Sequence, residues 1–172
     1  EAEDANERCQ SARLRSGEIG GQLMSMGSFS LYQGDRVLFT KNSKPLGVQN
    51  GTLGTIVELK PRRGIATVKL DTQERVQVPL KSYKSLQLGY AVTTHKGQGT
   101  TVNNSYILAG GSMQNRELTY VQASRAREST RLYTSKQEAG KKLENLAKQM
   151  AKTQEKTLAH DVLLRQEKGG ER

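Results

Sequence analysis

Residues 93–101, Thr-Thr-His-Lys-Gly-Gln-Gly-Thr-Thr, gather four hydroxyls, a point charge, an amide and a flat ring around two glycines. Glycine lets a backbone approach a ligand closely. With Lys96 for charge and Gln98 for an amide, the stretch is a cradle for a phosphate or a nucleotide backbone. A plain connection with a solvent-facing His95 would read the same way. Further on, Tyr120-Val-Gln-Ala-Ser-Arg-Ala-Arg127 places two arginines one residue apart. On a helix these point in different directions, so at most one faces a given ligand. Arg125 falls on the stripe of Leu118 and Val121, at spacings of three and four, and is expected to reach a buried side or a cleft. Its planar, permanently charged fork suits a transferring phosphoryl group. A buried ion pair with Glu117 or Glu128 would account for the same spacing.

The elements that must hold these groups read as α/β. Ser105–Gly110 has the pattern of a buried strand, Ser112 is a candidate N-cap for a helix over 113–127, and Leu132-Tyr133 would open the next strand. Strand, glycine-rich loop, strand and helix is how an α/β sheet presents groups to a phosphate. Upstream, residues 1–20 read as a helix with acidic first turns, ending near Gly17 or Gly20-Gly21. Residues 23–31 are ambiguous and taken as extended. From Tyr32 the pattern becomes short strands and tight turns: 35–40, 52–60, 65–70 and 75–78, with a hairpin signal at Asn50-Gly51 and a turn at Pro61-Arg62-Arg63-Gly64. Gly54 is placed where another backbone comes close. Such a set predicts a small barrel over 31–88. Residues 86–92 return to a buried-strand pattern. Residues 136–167 are helical in composition, with an apolar stripe of Ala139, Leu143, Leu146, Ala147 and Met150 and a weaker continuation through Leu158, Val162 and Leu163. Gly169-Gly170 would end it.

Composition narrows the partners. The 172 residues carry 27 Lys and Arg against 17 Asp and Glu, a net charge of +10. Residues 31–88 supply ten of the basic residues and four of the acidic ones. A polyanion is favoured, nucleic acid ahead of membrane. The 136–172 segment mixes nine basic with six acidic residues, which reads as a solvated face around a packed stripe. Cys9 is the single cysteine, so no internal disulfide framework is possible. His95 and His160 are too few to complete a zinc site, and no metal ligands are assigned. The cysteine usage fits a cytoplasmic compartment. No apolar run reaches membrane-spanning length, so no membrane insertion is expected. Opening on Glu1, with no signal peptide and no initiator Met, the chain is expected to be a piece of a longer one.

Tyr90-Ala-Val-Thr-Thr-His-Lys-Gly-Gln-Gly resembles motif V of superfamily-one DNA helicases, and Tyr-Val-Gln-Ala-Ser-Arg-Ala-Arg resembles their motif VI, in matching order and spacing. The likeness is to RecD-type helicases and to the helicase parts of conjugative relaxases of the TraA/MobF kind, over roughly residues 4–135. Gly34-Asp35-Arg36-Val37 and Asn50-Gly51-Thr52-Leu53-Gly54-Thr55 are similar to the SH3-like subdomain inserted before motif V. The resemblance implies a partial RecA-like parallel sheet with an inserted SH3-like β-barrel and a C-terminal helix. The implied segments are a lead-in (1–30), the barrel (31–88), the RecA-like core (89–135) and a helical tail (136–172). It implies that Arg125 is the arginine finger on the ATP γ-phosphate, and that Gly97, Gln98 and Gly99 couple nucleotide state to DNA. Thr94, His95 and Lys96 would touch the single-stranded DNA backbone, with Arg36, Lys41, Asn42 and Lys44 of the barrel as further contacts.

The departures are equally informative. No G-x-x-x-x-G-K-[ST] occurs, so nothing here can wrap a triphosphate and place Mg²⁺. Val68-Lys69-Leu70-Asp71 imitates a Walker B strand poorly, because Lys69 breaks the apolar run. The chain resembles the second motor domain without the first. ATP and Mg²⁺ belong to the parent, bound on an N-terminal RecA-like domain, and the chain alone is expected not to hydrolyse ATP. Arg125 and the loop near residue 95 are expected to border a cleft that the other lobe completes. The competing readings are a KOW-type nucleic-acid-binding barrel, which Gly51-Thr-Leu-Gly-Thr-Ile-Val resembles, and a degenerate helicase copy retained for binding.

Overall fold

The computed structural model describes residues 2–97, 101–110 and 114–153. The chain divides into two compact units, residues 1–97 and 98–172.

In the first unit, helix α1 (Ala2–Arg15) carries Glu3 and Asp4 in its first turn and Arg13 and Arg15 in its last. Both placements suit the helix dipole. Gly17, at φ +73°, stops it. A hairpin follows, β1 (Gly20–Ser25) with β2 (Ser30–Gln33), paired antiparallel and interrupted by an irregularity between Gly20 and Leu23. Then come β3 (Arg36–Phe39), β4 (Leu53–Lys60), β5 (Ile65–Leu70), β6 (Arg75–Pro79) and β7 (Leu86–Leu88). They form one antiparallel sheet in the order β6-β5-β4-β3-β7.

The alternation of β5 is complete, with Ala66, Val68 and Leu70 turned inward. One buried face per strand fixes register, because a slip of one residue would expose every inward side chain. The inward set centres on Leu31, Val37, Phe39, Ile56, Val68, Val78 and Leu86. Gly54 sits where expected. A Cβ there would lie 2.6 Å from Val68 Cγ1 and 2.8 Å from the Lys69 carbonyl oxygen. Gly54→Ala is therefore expected to destabilise the unit by about 1–3 kcal/mol, from overpacking, read as a lowered urea midpoint.

Three expectations for this region are corrected. The sheet is open: β6 and β7 are its edges, and no strand pairing among the described residues closes it into a barrel. Asn50-Gly51 does not join two strands directly. It ends the excursion from 40 to 52 between β3 and β4, in a turn where only Gly51 has positive φ, +94°. The Thr52 amide donates to the Gln49 carbonyl across it, at 3.0 Å. One positive φ at the third turn position is the type II requirement rather than that of a two-residue hairpin. The expected strand over 86–92 is only β7, and it pairs with β3. Tyr90, Ala91 and Val92 lie beyond it in irregular backbone.

In the second unit, β8 (Val102–Leu108), helix α2 (Arg116–Ala123) and β9 (Ala126–Tyr133) make a strand–helix–strand unit, with β8 and β9 parallel. Helix α2 is shorter than expected. Its N-cap is Asn115, whose side chain accepts from the Leu118 amide at 2.7 Å. Ser112 and Met113, the expected start, lie outside the described residues. The Asn115 side chain satisfies an orphan donor of the first turn.

The tail breaks as well. Helices α3 (Lys136–Ala139) and α4 (Glu144–Ala151) flank Gly140 and a stretch in which Lys142 and Leu143 take positive φ. The break resets the helical phase. Ala139, Leu146 and Met150 still pack inward, whereas Leu143 is exposed, and so is Ala147. Leu158, Val162, Leu163, Gly169 and Gly170 lie outside the described residues.

The expected buried strand at 105–110 is mostly exposed. Ile107 and Ala109 pack with Leu146, but Tyr106 and Leu108 of the opposite face are 65% and 71% exposed. On that face Tyr106 stacks on Tyr133 with centroids 6.5 Å apart, and Arg131 lies over the Tyr106 ring. Parallel sheets are covered on both faces in stable folds, and here one face is bare.

Candidate nucleic-acid interface

The root of the 93–97 loop is gripped from two sides. Asp35, fully buried at the start of β3, accepts from the Tyr32 amide (2.7 Å), the Gln10 amide group (2.7 Å) and the Tyr90 hydroxyl (2.5 Å). Burial and the adjacent Asp35 carboxylate both push the Tyr90 phenol well above its ordinary range. The Arg13 guanidinium lies 5.7 Å from the Tyr90 ring centre. At the next residue, Asn6 of α1 holds the Ala91 peptide at both ends. Its Oδ1 accepts from the Ala91 amide (2.9 Å), and its Nδ2 donates to the Ala91 carbonyl (2.8 Å).

Beyond this root Thr93–Gly97 makes a single turn, closed by the Gly97 amide donating to the Thr93 carbonyl at 3.0 Å. His95 and Lys96 are exposed and Thr94 is half-buried. Gly97 has ordinary negative-φ backbone, and a Cβ there would meet Val92 at a normal 3.6 Å. Its conformation does not demand glycine. Gln98 and Gly99 lie outside the described residues.

The turn faces the excursion between β3 and β4. A Cβ built on Gly51 would lie 3.5 Å from the Lys96 carbonyl oxygen. Lys41, Asn42 and Lys44 are on this same excursion and are exposed. Asn42 Oδ1 accepts from the Asn50 amide at 2.7 Å, and the Lys41 carbonyl accepts from the Tyr83 hydroxyl at 2.6 Å. The structure thus gathers the Lys96 turn and the Lys41–Lys44 segment on adjoining loops. It does not bring Arg36 with them as a free cation: its guanidinium makes a two-pronged pair with Asp71, at 2.6 and 2.9 Å. That pair holds the Asp71 carboxyl below its usual range. Asp71 lies just past the end of β5 and faces Arg36.

A cleft of about 360 Å³ opens beside the turn, with Glu3 and Glu7 of α1 on one wall and Thr93 and Lys96 among the other lining residues. Phe39 is fully buried against Tyr83, Tyr90 is bound to Asp35, and Tyr32 is half-buried. Among the described residues no group of three His, Cys, Asp or Glu side chains forms a metal site, and no helix is long and apolar enough to cross a membrane.

Arg125 is placed differently from expectation. Helix α2 ends at Ala123 with Ser124 as C-cap, so Arg125 lies just past the helix and Arg127 belongs to β9. The Arg125 Nε folds back and donates to the Val121 carbonyl at 3.0 Å. A cation at a helix C-terminus satisfies orphan carbonyls and complements the dipole. The ion pairs found among the described residues lie elsewhere. Arg125 is half-buried, and its Nε is the nitrogen so held.

The polar docking of α1 was not anticipated. Asn6, Gln10 and Arg13 recur at i, i+4 and i+7, the spacing usually sought for apolar residues, and all three turn toward the sheet or the loop root.

Motif order, the parallel strand–helix–strand unit and the antiparallel sheet before it resemble part of a superfamily-one helicase. No protein-family model matches the chain. It is 43% identical over 108 residues to the conjugal transfer protein TraA of Agrobacterium fabrum, a match covering 62% of this chain and 10% of that protein. It is 37% identical over 98 residues to the ATP-dependent RecD2 DNA helicase of Deinococcus radiodurans, over 55% of this chain and 13% of that one. Its fold matches that of a Pif1 helicase from Bacteroides in complex with ADP-AlF3 and single-stranded DNA. The TM-score there is 0.54 at 23% identity, covering 82% of this chain and 35% of that one. The likeness to TraA conjugal transfer proteins and to a RecD2 helicase is thus one of sequence, the likeness in fold is to Pif1, and the chain spans about a tenth of the length of the TraA relatives it matches.

Proposed function

We propose that this chain is the C-terminal motor portion of an ATP-dependent DNA helicase serving conjugal transfer or recombination. Thr94, His95 and Lys96 grip the backbone of single-stranded DNA, joined by Lys41, Asn42 and Lys44 from the adjoining excursion. Arg36 is left out of the contact set, since Asp71 already satisfies it. Gly97, Gln98 and Gly99 couple the strand to nucleotide state, and Arg125 reaches the γ-phosphate of ATP and Mg²⁺ held by an N-terminal RecA-like domain. The open five-stranded sheet serves as the SH3-like insert between the 1–30 lead-in and the RecA-like core at 89–135. The chain works in the cytoplasm and hydrolyses no ATP alone. The observation that carries this reading is the junction of the Lys96 turn with the Lys41–Lys44 excursion at Gly51, in a chain 43% identical to part of a conjugal transfer protein.

The test is fluorescence anisotropy with a labelled oligo-dT across a salt series. Affinity is expected to fall steeply with salt, since each phosphate contact on a single strand contributes about 0.7 to the log–log slope. The triple variant Lys41→Ala, Lys44→Ala, Lys96→Ala is expected to flatten the slope by about 2. An unchanged slope would remove these side chains from the interface. ATPase assays after the N-terminal half is supplied separate an active motor from a degenerate copy.

A further inference from the structure

We infer that Asn6 is a positioning residue: through it helix α1, rather than the sheet alone, sets the place of the 93–97 turn. Asn6 is the one buried residue of α1 and is 8% exposed. A buried amide must have its hydrogen bonds met. Asn6 meets them on the peptide at the root of the turn, two residues before Thr93, and on the Ala2 carbonyl of its own helix at 2.8 Å. Within the turn Thr93, His95 and Lys96 are exposed.

The way α1 is held makes this more than local packing. Its other polar contacts with the sheet and the loop root include those of Gln10 with Asp35 and the Ser30 carbonyl, and of Arg13 with the Tyr90 ring. A helix seated on hydrogen bonds has a defined orientation but small net adhesion, since each bond contributes little net free energy. Apolar side chains can slide and repack, whereas the two-point clasp of Asn6 on Ala91 transmits a displacement of α1 directly to the turn. The cleft beside the turn, walled by Glu3 and Glu7 of the same helix, would change shape with it. A ligand that shifts α1 therefore shifts Lys96.

The experiment is hydrogen–deuterium exchange of this chain, alongside oligo-dT affinity and melting temperature. Asn6→Ala is expected to raise exchange of the 91–97 amides about tenfold relative to the β4 and β5 amides. Asn6→Asp, which keeps the acceptor for the Ala91 amide and loses the donor, should fall between. Arg8→Ala is the control: it breaks the exposed Arg8–Asp4 pair on α1 without touching Asn6, Asp35 or the turn, and should leave relative exchange at 91–97 unchanged. Should Asn6→Ala fail to fold, Asn6→Asp read against Arg8→Ala decides the matter. Unchanged relative exchange at 91–97 in the Asn6 variants, or an equal rise in the Arg8 control, would overturn the inference. The affinity arm rests on the proposed strand contact; the exchange arm does not. A chain that loosens at 91–97 yet never bound DNA would sink the functional reading and leave the positioning role standing.

Discussion

Arg125→Ala, made in a polypeptide that also carries a Walker A domain, lowers ATPase turnover about 10³-fold or more and leaves single-strand affinity largely unchanged. The expectation follows from what phosphoryl transfer needs. Charge spreads over the γ-phosphate oxygens in the transition state, and a guanidinium supplied by a second domain neutralises it without reorganising at the moment of reaction. Arg125 is suited to this by position: it follows a helix end, is half-buried, and uses one nitrogen on the Val121 carbonyl. Arg125→Lys should not rescue, because an ammonium lacks the planar fork. The structural alternative predicts something much smaller. Val121 also accepts from the Ser124 hydroxyl at 3.1 Å. Losing the Arg125 bond from this chain alone should therefore cost only about 0.3–1 kcal/mol of stability. Full turnover together with that small loss would reduce Arg125 to a helix cap.

How much of this was legible depended on the kind of interaction. The strands of the small sheet were readable where, as in β5, Ala66, Val68 and Leu70 alternate with Thr67 and Lys69, and alternation is a property of the chain itself. Gly54 was readable because a glycine inside a strand has few other uses. Sheet closure was not readable, since it depends on whether two edge strands meet, and no residue pattern marks an edge that stays free. The length of α2 was misjudged because Leu118, Val121 and Arg125 continue a helical period, whereas the chain leaves the helix at Ser124 to begin β9. The bare face of Tyr106, Leu108 and Tyr133 was misread as buried, because sequence reports hydrophobicity and not what covers it. The node that holds the candidate site was missed altogether. Asn6, Gln10, Asp35 and Tyr90 are four polar residues spread over 85 positions, and only the fold makes them neighbours.

That node sets the largest stability effect expected in the first unit. Asp35→Ala should destabilise it by about 3–5 kcal/mol, the cost of leaving buried hydrogen-bond donors unmet. Three donors lose their acceptor at once: the Tyr32 amide, the Gln10 side chain and the Tyr90 hydroxyl. Asp35→Asn should cost much less. Its remaining oxygen can still accept from Tyr32 and Gln10, while its new amide can donate to the Tyr90 oxygen, which turns from donor to acceptor. Urea unfolding should therefore order the midpoints wild type, Asn, Ala. A second reading comes from Tyr90, whose folded-state pKa is raised. A raised phenol favours the fold fully below the ordinary tyrosine range and loses that contribution as pH rises above it. Asp35→Asn removes the carboxylate's share of the shift and leaves burial's share. Tyr90 should then ionise at lower pH than in the wild type, seen as an earlier rise in ultraviolet absorbance, with the alkaline loss of stability moved the same way. Equal midpoints for the Asn and Ala variants, with the phenol titration unmoved, would mean that Asp35 holds the loop root by shape alone.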